Sequence, residues 1–159
     1  MDKPSVYIET SIVSYLAADP SRHPVTLRNQ QLTHAWWNTQ RERYALYTSN
    51  LTRDEAGQGD PKMAQRRLAL LNAALLLPRQ AESRDLANAL YDFIPLPPRA
   101  GADAVHIATA AVHGVAYLLT WNCKHIANPR LYPRMSKLCS AAGFQVPLLV
   151  TPAELMGVR

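Results

Sequence analysis

Two short apolar runs of this chain end on a carboxylate or its amide: Val6-Tyr7-Ile8-Glu9-Thr10-Ser11 and Tyr117-Leu118-Leu119-Thr120-Trp121-Asn122. A third stretch, Asp103-Ala104-Val105-His106-Ile107-Ala108, opens an apolar pattern on an acid. An apolar strand with a polar end is how an open α/β sheet presents a site at the carboxyl edges of its strands. Acids gathered there repel one another unless a divalent cation sits among them. The pattern therefore points to a metal site and to chemistry on phosphate.

The rest of the chain supports such a sheet. Short apolar stretches at 5–8, 45–48, 75–78, 116–120 and 147–150 read as strands. Between them lie helical patterns: Thr10 or Ser11 caps a helix to about residue 18, and others run over 25–43, 50–56, 61–73, 82–93 and 129–142. A terminal turn of helix starts at Thr151-Pro152. Leu86, Leu90 and Phe93 repeat at the spacing of an amphipathic helix. The proline-rich connector from Ile94 to Gly101 delivers the chain to a helix starting at Asp103, apolar nearly all round and so central. Strands alternating with helices predict an α/β fold, a three-layer α/β/α sandwich around a mostly parallel sheet. Neither half has enough strands alone, so 1–159 reads as one domain.

With 159 residues, 48% of them hydrophobic, the chain can bury a full core. Seventeen basic against 12 acidic residues leave +5, a balance suited to a polyanionic partner. The start Met1-Asp2-Lys3-Pro4 is polar, so no signal peptide is expected, and no apolar run is long enough for a membrane span. Cys123 and Cys139 lack CxxC spacing, which suits a reducing cytosol and a cytoplasmic location.

Each candidate acid also has an ordinary reading. Glu9 can be an acid favoured by a helix dipole, and Asp103 an N-cap. Asp54 and Glu55 are adjacent on a helix and point about 100° apart, so both cannot face one ion equally. Asn122 offers a carbonyl oxygen without charge. His106 and His113 share a helical face, but HExxH is absent, so they read as core or supporting histidines. His125 follows Asn122 by three and can brace the strand-end loop. Trp36, Trp37 and Trp121 read as packing residues before base-stacking ones. Arg53 and Lys124 follow acidic strand ends and can neutralise phosphate. There is no GxxxxGK[ST], GxGxxG or GxSxG, which argues against a P-loop nucleotide site and a serine-hydrolase triad.

In this order the motifs resemble the PIN-domain family of metal-dependent nucleases, and most of all the VapC-like toxin ribonucleases of bacterial type II toxin–antitoxin pairs. Tyr7-Ile8-Glu9-Thr10-Ser11 is similar to the family's opening strand, where Asp is usual. Ser49-Asn50-Leu51-Thr52-Arg53-Asp54-Glu55 is similar to the second motif, with Glu55 as its acid. Asp103-Ala104-Val105-His106-Ile107-Ala108 resembles the third motif. Leu118-Leu119-Thr120-Trp121-Asn122 resembles the fourth, where a further Asp is usual.

The resemblance implies an acidic pocket with one or two Mg2+ or Mn2+ ions, cleavage of single-stranded RNA, dimerisation, and neutralisation by a cognate antitoxin protein. Carried onto this chain, it makes Glu9, Glu55, Asp103 and Asn122 the catalytic set. Glu9, Asp103 and Asn122 then act as metal ligands, and Glu55 positions water. Thr10 and Thr120 are expected to orient the acids by hydrogen bonds. Glu for Asp at position 9 lengthens a ligand, and Asn122 removes a charge. A competing reading is therefore a catalytically weakened PIN-like module that binds RNA or a partner protein. A third is a metal-dependent hydrolase of small phosphoesters.

Overall fold

The computed structural model of the chain describes residues 2–158. Its elements are β1 (Ser5–Ile8), α1 (Thr10–Ala17), α2 (Pro24–Thr39), β2 (Ala45–Thr48), α3 (Asn50–Ala56), α4 (Pro61–Leu71) and β3 (Leu75–Leu76). They continue with α5 (Ala81–Phe93), α6 (Gly101–Val112), β4 (Tyr117–Leu119), α7 (Tyr132–Ala141), β5 (Leu148–Val150) and α8 (Pro152–Met156). The strands form one sheet in the order β3-β2-β1-β4-β5, with every pairing parallel. The expected alternation of strand and helix is realised, and the sheet is wholly rather than mostly parallel.

Alternation along each strand divides the core into two layers. Val6 and Ile8 of β1 join Leu46, Leu119, Ile12, Leu16, Trp36 and Leu71 on one face, beneath α1, α2 and α4. Tyr7 and Leu118 point the other way, into a layer built from α5, α6 and α7 with Leu86, Leu90, Ile107 and Met135. Helix α6 is central, as its composition predicts: Ala104, Ile107, Ala108 and Ala110 have no exposed surface. Its run of small residues allows close packing against α5 and the sheet.

Several boundaries differ from expectation for local reasons. Glu9, not Thr10 or Ser11, caps α1; its backbone is extended and its side chain accepts from the Ser11 amide. Asp103 does not open its helix. A 3-10 turn at Pro98–Ala100 leads straight into Gly101, so Asp103 lies in the first turn of α6 instead. Helix α2 stops at Thr39, and a separate 3-10 turn covers Arg41–Arg43. Asn128 folds the next residues around itself, its carbonyl accepting from Leu131 and its side chain from Arg130, which delays α7 to Tyr132.

Leu118 is fully buried, whereas Leu75 on the edge strand is 69% exposed. Leu118→Ala should therefore cost roughly 2–5 kcal/mol of unfolding free energy. Leu75→Ala should change it by less than about 0.5 kcal/mol, with chemical denaturation as the measurement.

Candidate metal centre

From β1 the chain leads to β2 and β3 on one side, while β4 and β5 fill the other. The reversal falls between β1 and β4, and a crevice forms beyond the carboxyl ends of strands at such a switch point. Glu9 follows β1 there and Thr120 follows β4. Thr120 Oγ1 donates to Glu9 Oε1 at 2.6 Å. Ser11 adds its amide at 3.1 Å and its hydroxyl to the same oxygen. Each hydroxyl accepts in turn from the loop after β4: Trp121 N donates to Ser11 Oγ at 2.8 Å, and Asn122 N to Thr120 Oγ1 at 2.9 Å. Glu9 is thus buried, anchored through one oxygen, and at a helix N-terminus where the dipole favours an anion.

Glu55 arrives from α3. Ser49 caps that helix by accepting from Thr52 N, which directs Glu55 to the crevice and its neighbour Asp54 to solvent. Thr10 Oγ1 donates to Glu55 Oε1 at 2.5 Å. Thr10 and Thr120 therefore each orient one acid, as expected from the sequence.

His106 was read from the sequence as a core or supporting histidine; it lies at the heart of the centre. Its Nε2 is 2.7 Å from Glu55 Oε1, and its Nδ1 is 2.6 Å from the Tyr7 phenol oxygen. The phenol meets Ser49 Oγ at 2.6 Å, and Ser49 meets Thr52 Oγ1 at 3.3 Å. Thr52 ends the chain by donating to the Ile8 carbonyl at 3.4 Å. With the imidazole protonated at both nitrogens, each hydroxyl along this path has an acceptor for its proton. One donor or acceptor atom from each of Glu9, Glu55 and His106 lies within 4.8 Å of the others. With both ring nitrogens in hydrogen bonds, His106 braces the two carboxylates, which are the groups that can take an ion.

The electrostatics follow from this packing. Burial drives a proton off His106, but the Tyr7 phenol, the hydrogen bond to Glu55 and the charges of Glu9 and Glu55 outweigh it. Its pKa is pushed up to about 10. Burial likewise raises the pKa of Glu55, and the hydrogen bond and charge of His106 with the Thr10 hydroxyl overcome it, leaving it lowered. The imidazolium thus supplies positive charge beside two carboxylates.

Asp103 falls outside that grouping, and it and Asn122 both engage His125. Asp103 lies one helical turn before His106, and its Oδ2 is 3.0 Å from His125 Nδ1. Asn122 Oδ1 accepts from the His125 amide at 3.0 Å, closing a turn after β4. His125 thus braces the strand-end loop, as its spacing suggests, and ties it to α6. Trp121 is engaged in packing: it stacks on Tyr15 and donates its Nε1 to Thr33 Oγ1 at 2.7 Å.

The donor set suits a hard divalent cation. Every hydrogen bond to Glu9 and Glu55 falls on Oε1, so Oε2 of each has no hydrogen-bond partner among the described residues. Asp103 likewise keeps Oδ1 without one. Oxygen atoms on rigidly held carboxylates are what Mg2+ and Mn2+ take. The signal that could have found His106 is its place in an apolar helix three residues after Asp103. A histidine among alanines must be satisfied by something polar in the core.

No protein-family model and no curated protein sequence matches this chain. Among solved structures, one that is similar is that of VapBC2 from Rickettsia felis bound to a DNA fragment from their promoter. The match has 13% identity and a TM-score of 0.49, covering 92% of this chain and 96% of that chain. No helix among the described residues is long and apolar enough to cross a membrane.

Two outcomes are expected. A raised histidine pKa adds stability that is complete below its unfolded value near 6.5 and is lost as pH climbs through about 10. The wild-type Tm should fall across that window, and His106→Gln should flatten the fall. The lowered pKa of Glu55 acts oppositely, adding stability above the ordinary carboxylate range that is lost on acidification through its folded value. Separately, Thr10→Val should weaken Mn2+ binding about tenfold in calorimetry by removing one of the two contacts, Thr10 and His106, that fix the Glu55 carboxylate.

Proposed function

We propose that this protein is a metal-dependent endoribonuclease that cleaves RNA phosphodiester bonds, acting as the toxin of a toxin–antitoxin pair. The observation that carries the reading is the convergence of Glu9 and Glu55 at the switch point. Each is oriented by a threonine hydroxyl on one oxygen, with the other left for an ion. Glu9 and Glu55 would hold Mg2+ or Mn2+, with Asp103 contributing from the first turn of α6. When bound, such an ion would neutralise phosphate charge and acidify a water.

The residues around it have separable roles. Glu9, buried and locked by Ser11 and Thr120, fixes negative charge for the cation. Glu55, partly exposed, would present Oε2 to the ion and so position the water beside it, while Thr10 and His106 hold Oε1. His106 positions Glu55 and limits repulsion between the acids. Arg53 and Lys124 flank the crevice in sequence and supply charge for the RNA backbone. RNA as substrate, the cognate antitoxin, a homodimer and a cytoplasmic location rest on the motif resemblance and the net charge of +5.

A second reading, a weakened module that binds RNA or a partner protein, is favoured by one observation. Asn122 and Asp103 both engage His125, and Asn122 brings no charge.

RNA cleavage in Mn2+ tests the proposal. Glu9→Gln and Asp103→Asn should each lower the rate on the order of a hundredfold, with folding verified by Tm. Absence of cleavage of any RNA together with absence of a Mn2+-induced thermal shift would falsify the enzyme reading and favour the binding module.

A further inference from the structure

Beside the acids, on the far side of α3 and α6, lies a cleft of about 350 Å3. It shares both walls with the metal centre. Asp54 and Val105 line it, while their chain neighbours Glu55 and His106 face the acids. Ser49 lines it too and belongs to the hydrogen-bonded chain that runs through Tyr7 to His106. A polymer whose scissile bond lay at Glu9 and Glu55 would therefore have an adjoining unit within reach of this cleft.

The lining has the chemistry of a nucleotide site. Leu77, Pro78 and Val105 offer apolar surface for the face of a base. Asn50, Gln80 and Asn88 bring side-chain amides, which carry both donors and acceptors and can pair with base edges. Arg79 lies in the loop before α5 and Arg84 in its first turn, and neither is ion-paired among the described residues. Asp54 is the acid in the wall, so two arginines against one carboxylate leave the cleft positive. Ser83 also lines it, and its hydroxyl is buried without a hydrogen-bond partner among the described residues. Single-stranded RNA is commonly read through unstacked bases held in this way.

We propose that the cleft between α3, α5 and α6 binds one unstacked nucleotide of the RNA beside the cleaved bond, and so sets sequence preference. Arg79 and Arg84 hold its phosphate, and the amides read its base. The inference rests on the nuclease reading for its biological meaning, but binding can be measured without cleavage.

Nucleoside 5′-monophosphates titrated into the full chain in the presence of chelator, followed by amide NMR, provide the test. At least one nucleotide should shift the resonances of 49–54, 77–88 and Val105. Arg79→Ala with Arg84→Ala should weaken its binding about tenfold. In Mn2+, Gln80→Ala should change which nucleotide adjoins the cut without abolishing cutting. Binding that survives when no RNA is cut would sustain the cleft and sink the nuclease. If RNA is cut but no mononucleotide perturbs the cleft, or the double variant binds equally well, the proposal is overturned. A response to an acidic peptide alone would assign the cleft to a protein partner and overturn it equally.

Discussion

A single carboxylate oxygen, Glu9 Oε1, collects donors from the first turn of α1 and from the residue after β4. These segments are over a hundred residues apart in sequence. The hydroxyls that donate to Glu9 also receive the amides of Trp121 and Asn122. The same contacts therefore end β1, start α1, shape the loop after β4 and aim the carboxylate. A charged acceptor makes stronger hydrogen bonds than a neutral one, and a helix N-terminus adds its dipole. Glu9 is at once a structural cap and the candidate ligand most firmly fixed in the molecule.

A second polar path runs through the layer of the core beneath α5, α6 and α7. Tyr7, His106, Ser49 and Thr52 are all buried and hydrogen-bonded to one another. In an apolar interior such a chain is favourable only when every member is satisfied, and a single missing partner is costly. Here the path begins at Glu55 and ends on the Ile8 carbonyl, so both ends close. The geometry of the candidate metal centre and the packing of α3 and α6 against β1 are consequently parts of one arrangement.

Much of this was readable from the chain. Valine, isoleucine and leucine runs bounded by glycine, proline and polar residues marked the strands, because an internal parallel strand must be apolar on both faces. Glu9 stood out because it follows a strand directly, where topology leaves the crevice, whereas position alone left Asp54 and Glu55 undecided and only the motif resemblance selected Glu55. Thr10 and Thr120 were legible as neighbours of those ends. His106 was not, since its role depends on Tyr7 and Glu55, residues about a hundred and about fifty positions away. Nor did spacing show that His125 would occupy both Asp103 and Asn122. Pairings between distant side chains are set by tertiary approach, and local pattern carries no record of them.

Tyr7 and Glu9 share one face of the opening strand and its extension, while Val6 and Ile8 share the other. Sliding that segment by one position would thrust a phenol and a carboxylate among Trp36, Leu46 and Leu119, and would turn isoleucine towards His106. Misassembly of this kind has no half-measures: the chain cannot keep its interior while losing its acids. A change of register in β1 would therefore announce itself as lost folding, whatever the centre does.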